Sequence, residues 1–317
     1  MNPELLSRNE AWRRMYRSNR YCRHLTQIEL NQRLRDIVVN MLRLTSDGKT
    51  NLPPIESEGI RNMELWTHAL EEMALRHGPY PNGFTREIFR DEPLPDFAGE
   101  LGQKAATALS TNGLQLSDVF IKFGKAKYMR ALFERGAMRV QSASYYATSN
   151  HNDAIRDDEL SLPLMSLSLT REDIVKLVRN PLDVPARIFD QRVDVTVRTE
   201  SDYWLYCVTT AIEPRLFVDF HADSCVIIKD RERFQRLVTV QTTRYFPKTS
   251  HRHGETTYID SLLPSAAVAD VPMSKHFRYR YQKEYRFVWM PAQTTIELPY
   301  IDLELGNLKD IAELIVI

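Results

Sequence analysis

Between Lys275 and Trp289 the chain alternates by parity, which predicts an extended strand with two unlike faces. One face carries Arg278, Arg280, Gln282, Glu284 and Arg286; the other carries Tyr279, Tyr281, Lys283, Tyr285, Phe287 and Trp289, because successive side chains of a strand point to opposite sides. Glu284 then stands as a single carboxylate in a row of guanidinium groups. Nearby positive charge favours the ionised carboxyl, so Glu284 is expected to be charged and suited to stabilising a developing cation. An amphipathic strand with salt bridges on a wet face is the alternative.

Around this tract the chain changes texture. Thr26-Gln27-Ile28-Glu29 is a capping-box pattern, followed by apolar residues at helical spacing. A second helix is expected from about Glu58 to His77, stopped by Gly78-Pro79, and a third from about Asp96 to Leu109. The stretch from Pro79 to Pro95 reads as a loop. A boundary near Ser117 divides a helical N-terminal region (1–116) from a mixed region (117–317).

In the second region, short strands are expected at Val119–Phe123, Ala137–Gln141 (running on through Tyr146), Val193–Val197, Tyr203–Thr209, Ser224–Ile228, Leu237–Thr242 and Arg278–Trp289. Helices are expected at Ala126–Arg135, Arg171–Arg179, Arg231–Leu237 and Leu308–Leu314. Runs of short strands with few helices between them imply an α+β fold with a mixed, mostly antiparallel sheet.

Composition narrows the function classes. The formal net charge is zero, so no global field argues for nucleic acid or a membrane surface. Residues 1–50 nevertheless hold ten Lys/Arg against five Asp/Glu. Arg13, Arg17 and Arg20 follow helical spacing among aromatics, a mixture that suits nucleic acid or docking on an acidic surface; overall neutrality favours docking. Three cysteines are too few for a disulfide framework. Without an apolar leader or a membrane-length run, a cytoplasmic protein with no membrane partner is expected.

The unit Phe120-Ile121-Lys122-Phe123-Gly124 … Leu132-Phe133-Glu134-Arg135-Gly136-Ala137-Met138-Arg139 resembles the opening of the ADP-ribosyltransferase fold. In the arginine–serine–glutamate class of that fold, a basic residue is followed by Ser-x-Ser and a late Gln/Glu-x-Glu. The same order here is Lys122, Ser142-Ala143-Ser144 and Gln282-Lys283-Glu284, with lysine in place of the arginine. The histidine of the other transferase class is lacking at Phe123-Gly124.

The chain also resembles a bacterial domain family associated with phage defence and abortive infection. The resemblance lies at Ala143-Ser144-Tyr145-Tyr146 with Asn152 to Glu159, at Phe220-His221-Ala222-Asp223-Ser224, and at Lys275 to Arg286. These resemblances imply an ADP-ribosyltransferase-like sheet and NAD as a substrate, with ADP-ribose passing to a macromolecular acceptor, nucleic acid or protein. An antitoxin or regulatory partner would engage the N-terminal region. They also imply roles. Glu284 would meet the nicotinamide ribose and Gln282 would orient the acceptor. Lys122 would meet the pyrophosphate, Tyr145 or Tyr146 would stack on nicotinamide, and Ser142 and Ser144 would line the site.

Other readings stay open. Ser142 and Ser144 suit the outward face of a strand, and Tyr145 and Tyr146 suit core positions. The acidic run Asp153, Asp157, Asp158 and Glu159 suits either a hard cation or solvation and local arginine pairs. His221 with Asp223 fits a metal-dependent nuclease or a simple turn, and His251 with His253 has zinc-compatible spacing but no nearby third ligand. A binding module without turnover is the remaining alternative.

Overall fold

A computed structural model describes residues 7–45, 47–52, 57–78, 88–90, 93–111, 118–147, 154–166, 187–189, 192–246, 248–263 and 270–317. Its helices are α1 (Arg8–Ser18), α2 (Gln27–Met41), α3 (Ser57–His77), α4 (Glu100–Thr111), α5 (Ala126–Arg135), α6 (Arg215–Asp219) and α7 (Arg231–Tyr245). The strands begin with β1 (Arg43–Leu44), β2 (Thr50–Asn51), β3 (Phe120–Gly124), β4 (Ala137–Ser142), β5 (Ser161–Ser166), β6 (Arg187–Phe189), β7 (Arg192–Arg198) and β8 (Trp204–Thr209). They continue with β9 (Ser224–Ile228), β10 (Thr249–Glu255), β11 (Thr257–Ile259), β12 (Ser274–His276), β13 (Glu284–Pro291), β14 (Ile301–Glu304) and β15 (Ala312–Val316).

The fold is mixed α+β. Its largest sheet has the order β10-β13-β8-β3-β9-β15, with β4 also on β8 and β14 on β4. Every pairing in that sheet is antiparallel. The sheet forks at β8: β3 meets it only at Ile121↔Thr209, whereas β4 meets it at Leu205 and Trp204. The middle of β8 thus lacks a strand partner on that side, and a backbone carbonyl there needs another donor. Lys122 supplies one, its Nζ donating to the Cys207 carbonyl at 2.7 Å.

Local chemistry explains the elements that frame this fork. Gly136 closes α5 in the left-handed conformation (φ 65°), and a Cβ there would lie 2.4 Å from the Gly306 carbonyl oxygen. Only glycine satisfies both constraints. The main core joins Phe120, Phe287 and Trp289 of the sheet to Leu132 of α5 and Phe234 and Val238 of α7.

The capping box of α2 forms as expected, with Thr26 and Glu29 each accepting from the other's backbone N–H. Leu30, Leu34 and Ile37 of α2 then pack with Leu65 and Ala69 of α3, and with Phe277 from the far end of the chain. The basic face of α1 docks on α3. Arg17 reaches Glu71 at 2.6 Å, Arg20 reaches Glu72 at 3.1 Å and Arg13 lies 3.7 Å from Glu71.

Several expectations are corrected. Residues 237–242 belong to α7, not a strand: Asp230 caps that helix by accepting from Arg233 N at 2.9 Å, and Phe234, Val238 and Thr242 bury one helical face. The expected helix at 308–314 gives way to β15, which pairs with β9 from Ala312 to Val316. The strand expected from Arg278 begins only at Glu284, because Phe277–Gln282 is a 3-10 turn and Lys283 is left-handed (φ 43°). Asn40 of α2 holds that turn, donating to the Phe277 carbonyl (2.8 Å) and accepting from Tyr281 N (3.0 Å). The alternation of faces therefore fails upstream of Glu284. Ser142 ends β4, and Ala143–Ala147 is a 3-10 turn. The helix expected at Arg171–Arg179, and Asp153 of the acidic run, lie outside the described residues.

Arg215 of α6 is the second tie between the N-terminal helices and the sheet region. Fully buried, it pairs with Asp219 (2.8 Å) and donates to the Val39 (2.7 Å) and Leu42 (2.8 Å) carbonyls. Removing one partner of a buried pair leaves an uncompensated charge. Arg215→Met is predicted to lower the unfolding free energy by about 3–5 kcal/mol in urea titrations. Adding Asp219→Asn should recover part of that loss, since it removes the charge of a buried carboxylate that has lost its Arg215 partner.

Candidate functional site

The fork opens onto a cavity of about 260 Å³ bounded by β3, the middle of β8, the start of β13 and the turn that carries Tyr146. Lys122, Tyr146, Cys207, Thr209, Gln282 and Glu284 all line it. Four of the residues singled out in the sequence, Lys122, Tyr146, Gln282 and Glu284, thus converge on one space. Ser142, Ser144 and Tyr145 are not among the lining residues. Ser144 Oγ donates to Asp202 (2.7 Å) and can accept from Ser142 Oγ (3.1 Å), and its N–H also meets Asp202 (3.1 Å). The two serines therefore pin the turn after β4. Tyr145 is exposed and packs edge-on against Tyr146.

Glu284 anchors a buried ionic cluster. Its Oε1 accepts from Arg286 Nε at 2.6 Å and its Oε2 from Lys275 Nζ at 3.0 Å. Its backbone N–H donates to the Tyr258 hydroxyl at 2.7 Å. Arg286 continues to Glu159 (2.7 Å) and to the Pro272 and Ser274 carbonyls (3.0 and 3.1 Å). Lys275 also meets Gln282 Oε1 (3.3 Å), Glu159 (3.6 Å) and Asp157 (4.0 Å). Gln282 is locked from its other side, Nε2 donating to the Ala154 carbonyl at 2.8 Å. Both of its polar ends are engaged, so it shapes the wall and positions Lys275.

Three carboxylates thus share two cations, and the protonation states divide accordingly. Burial alone would push Glu284 up, but Arg286 and then Lys275 outweigh it and hold the carboxyl well below its usual range. Asp157 goes the other way: burial, reinforced by the charge of Glu159, pushes it up to about 7. Burial lowers Lys122. Its ammonium lies 4.5 Å from the Tyr206 ring centroid and forms no ion pair with a carboxylate among the described residues. It is a half-buried amine facing the cavity, with no ion-paired carboxylate among the described residues.

Sequence reading had Glu284 flanked by arginines along one strand. Only Arg286 does this, and Lys275 replaces Arg280 and Arg278 by reaching across the 3-10 turn. Lys275, Glu159, Asp157 and Cys207 were missed as site residues. For Lys275, parity pointed to the face opposite Glu284, and Asp157 and Glu159 read only as part of an acidic run. The acidic run that suggested a cation loop instead serves this cluster through Asp157 and Glu159, while Asp158 accepts from Leu160 N (3.1 Å). His221 lines the cavity, and Asp223 accepts from Ala126 N at 2.6 Å. His253 Nδ1 shares a hydrogen bond with the Tyr285 hydroxyl at 2.6 Å. Among the described residues, no group of three or more His, Cys, Asp or Glu could hold a metal ion. No helix among them is long and apolar enough to cross a membrane. Comparison with family models, curated proteins and solved structures finds no match to the chain.

The excess carboxylate has a pH signature. A group whose folded pKa is raised contributes stability below its unfolded value, and that contribution is lost as pH rises through the folded value. For Asp157 the window runs from 3.8 to about 7. The melting temperature of Asp157→Asn is predicted to gain on wild type as pH rises through that window and to hold a constant advantage above it. A difference that does not vary with pH would contradict the assignment.

Proposed function

We propose that the chain splits NAD at the cavity beside Glu284 and transfers ADP-ribose to a macromolecular acceptor, nucleic acid or protein, on an ADP-ribosyltransferase-like sheet. The observation that carries this reading is the convergence of Lys122, Tyr146 and Glu284, drawn from three separate parts of the sequence, on one cavity. The resemblance to a family tied to phage defence supports a role as a bacterial defence or toxin effector. The volume is small beside the roughly 300–1,000 Å³ of drug-sized sites. It suits the nicotinamide and its ribose, with the adenosine end extending outward.

In this reading Tyr146 packs on the nicotinamide and the ionised Glu284 accepts from the ribose 2′-hydroxyl. The bond from the ribose C1′ to the nicotinamide nitrogen breaks, and its electron pair leaves with the nicotinamide, which becomes neutral. Positive charge then develops at C1′ beside a carboxylate already held ionised by Arg286 and Lys275. Such fixed charge costs no reorganisation at the moment of reaction. The acceptor nucleophile forms the new bond at C1′ and releases its proton to water. Lys122, half-buried at the cavity wall, faces the pyrophosphate.

Chromatography of nicotinamide released from NAD, with and without cell lysate, tests this. Wild type should release nicotinamide, and Glu284→Gln should lose at least about 100-fold in rate. Because Glu284 sits in a buried ion pair, that change also costs stability, about 3–5 kcal/mol; the assay therefore needs a temperature at which the variant is folded. Lys122→Met should retain turnover with a raised KM. Absence of both nicotinamide release and calorimetric NAD binding in wild type would reject the proposal.

A further inference from the structure

A second, larger cavity of about 530 Å³ lies behind the first, between α2, β7, the 157–163 segment and the 3-10 turn after β12. The two cavities share Glu159 and Lys275 as wall residues. Most of the charge around the larger one is already engaged. Arg33 holds Asp260 through two hydrogen bonds of 2.9 Å. Lys275 and Glu159 belong to the Glu284 cluster. Glu29 accepts from Thr26 N (2.7 Å), Asp158 from Leu160 N, and Asp36 from Gln32 Nε2 (2.7 Å). His276 Nδ1 accepts from the Arg278 backbone N–H at 3.3 Å.

Two guanidinium groups remain. Arg278 is half-buried and Arg198 is exposed; both line the cavity, and neither side chain makes a hydrogen bond or ion pair among the described residues. Among the described residues, the Arg278 guanidinium lies over the Tyr279 ring, 4.9 Å from its central carbon. Asp36 and Asp157 face the same space but pair with neither arginine, and burial holds both up, to about 6 and about 7. Both attract Arg278 through space without a hydrogen bond or ion pair to it, so its donors stay open. A planar guanidinium with its donors unused matches the paired oxygens of a phosphate, and the volume falls within the range of small-molecule sites.

We propose that this cavity binds a phosphorylated small molecule of about mononucleotide size, its phosphate held by Arg278 and reached by Arg198 from the rim. The assignment does not depend on the chemistry of the first cavity.

Calorimetry on the full chain with AMP, ribose 5-phosphate, adenosine and ribose tests it. AMP or ribose 5-phosphate should bind at least about tenfold more tightly than its dephosphorylated counterpart. Arg278→Met should abolish at least about tenfold of that affinity. Arg198→Met, at an exposed position with no partner among the described residues, should weaken it while leaving the melting temperature unchanged, so it decides the matter if Arg278→Met fails to fold. Lys122→Met should bind the phosphate probes as wild type does. The proposal is overturned if neither phosphate binds, if the dephosphorylated probes bind equally well, or if folded Arg278→Met or Arg198→Met binds like wild type. Loss of phosphate binding in Lys122→Met would overturn it too, by placing the ligand in the first cavity.

Discussion

Arg286 lies fully buried at the third position of β13, with Glu284 on one side of its guanidinium and Glu159 on the other. A buried ion is expensive to desolvate unless its geometry is good and its remaining donors are satisfied. Here Nε and Nη1 are hydrogen-bonded to Glu284 and two backbone carbonyls, and Nη2 is in ion-pair contact with Glu159 without a hydrogen bond, which ties the 157–159 segment, the turn before β12 and the start of β13 to a single point. Lys275 closes the same cluster from β12. Glu284 is therefore held in both position and charge by groups from several segments of the chain, and the first cavity inherits its electrostatics from that arrangement.

The N-terminal helices contribute by fixing the turn from which β13 departs. Asn40 grips Phe277 and Tyr281, while Arg33 pairs with Asp260 and Arg215 caps the end of α2 through the Val39 and Leu42 carbonyls. The left-handed Lys283 lies between this held turn and Glu284. Displacing α2 would shift the approach of Glu284 to the cavity and disturb the wall shared with the larger cavity. The basic face of α1 and the turn after it fit the same picture: Arg13 and Arg17 meet Glu71 and Arg20 meets Glu72 of α3, so docking within the chain accounts for charge that also suited a nucleic acid.

What the sequence made legible was local. The capping box at Thr26, the strand from Phe120 ended by Gly124, the helix closed by Gly136, and the strand Ser224–Ile228 follow from spacing and turn residues. What stayed hidden depends on distant partners. The turn at Phe277–Gln282 reads as strand by parity, and only the amide of Asn40, far away in sequence, shows why it is not one. The helix from Arg231 runs through Val238-Thr239-Val240, whose β-branched residues favour a strand locally, while burial of Phe234, Val238 and Thr242 against the sheet decides for helix. Lys275 could not be paired with Glu284 by alternation, since the chain reverses between them. Lys122, Gln282 and Glu284 were nameable because an ordered resemblance supplied them, whereas Asp157 and Glu159 looked like a solvated or metal-binding loop.

The central claim is that an ionised Glu284 faces a cavity shaped for the nicotinamide ribose of NAD. A crystal structure with an unreactive NAD analogue, in which the ribose ring oxygen is replaced by carbon, tests it directly. The account predicts the nicotinamide against Tyr146 and the ribose 2′-hydroxyl within hydrogen-bond distance of the Glu284 carboxylate, with Arg286 and Lys275 still paired to it. An empty first cavity at saturating analogue, or an analogue bound elsewhere with Glu284 untouched, would contradict it.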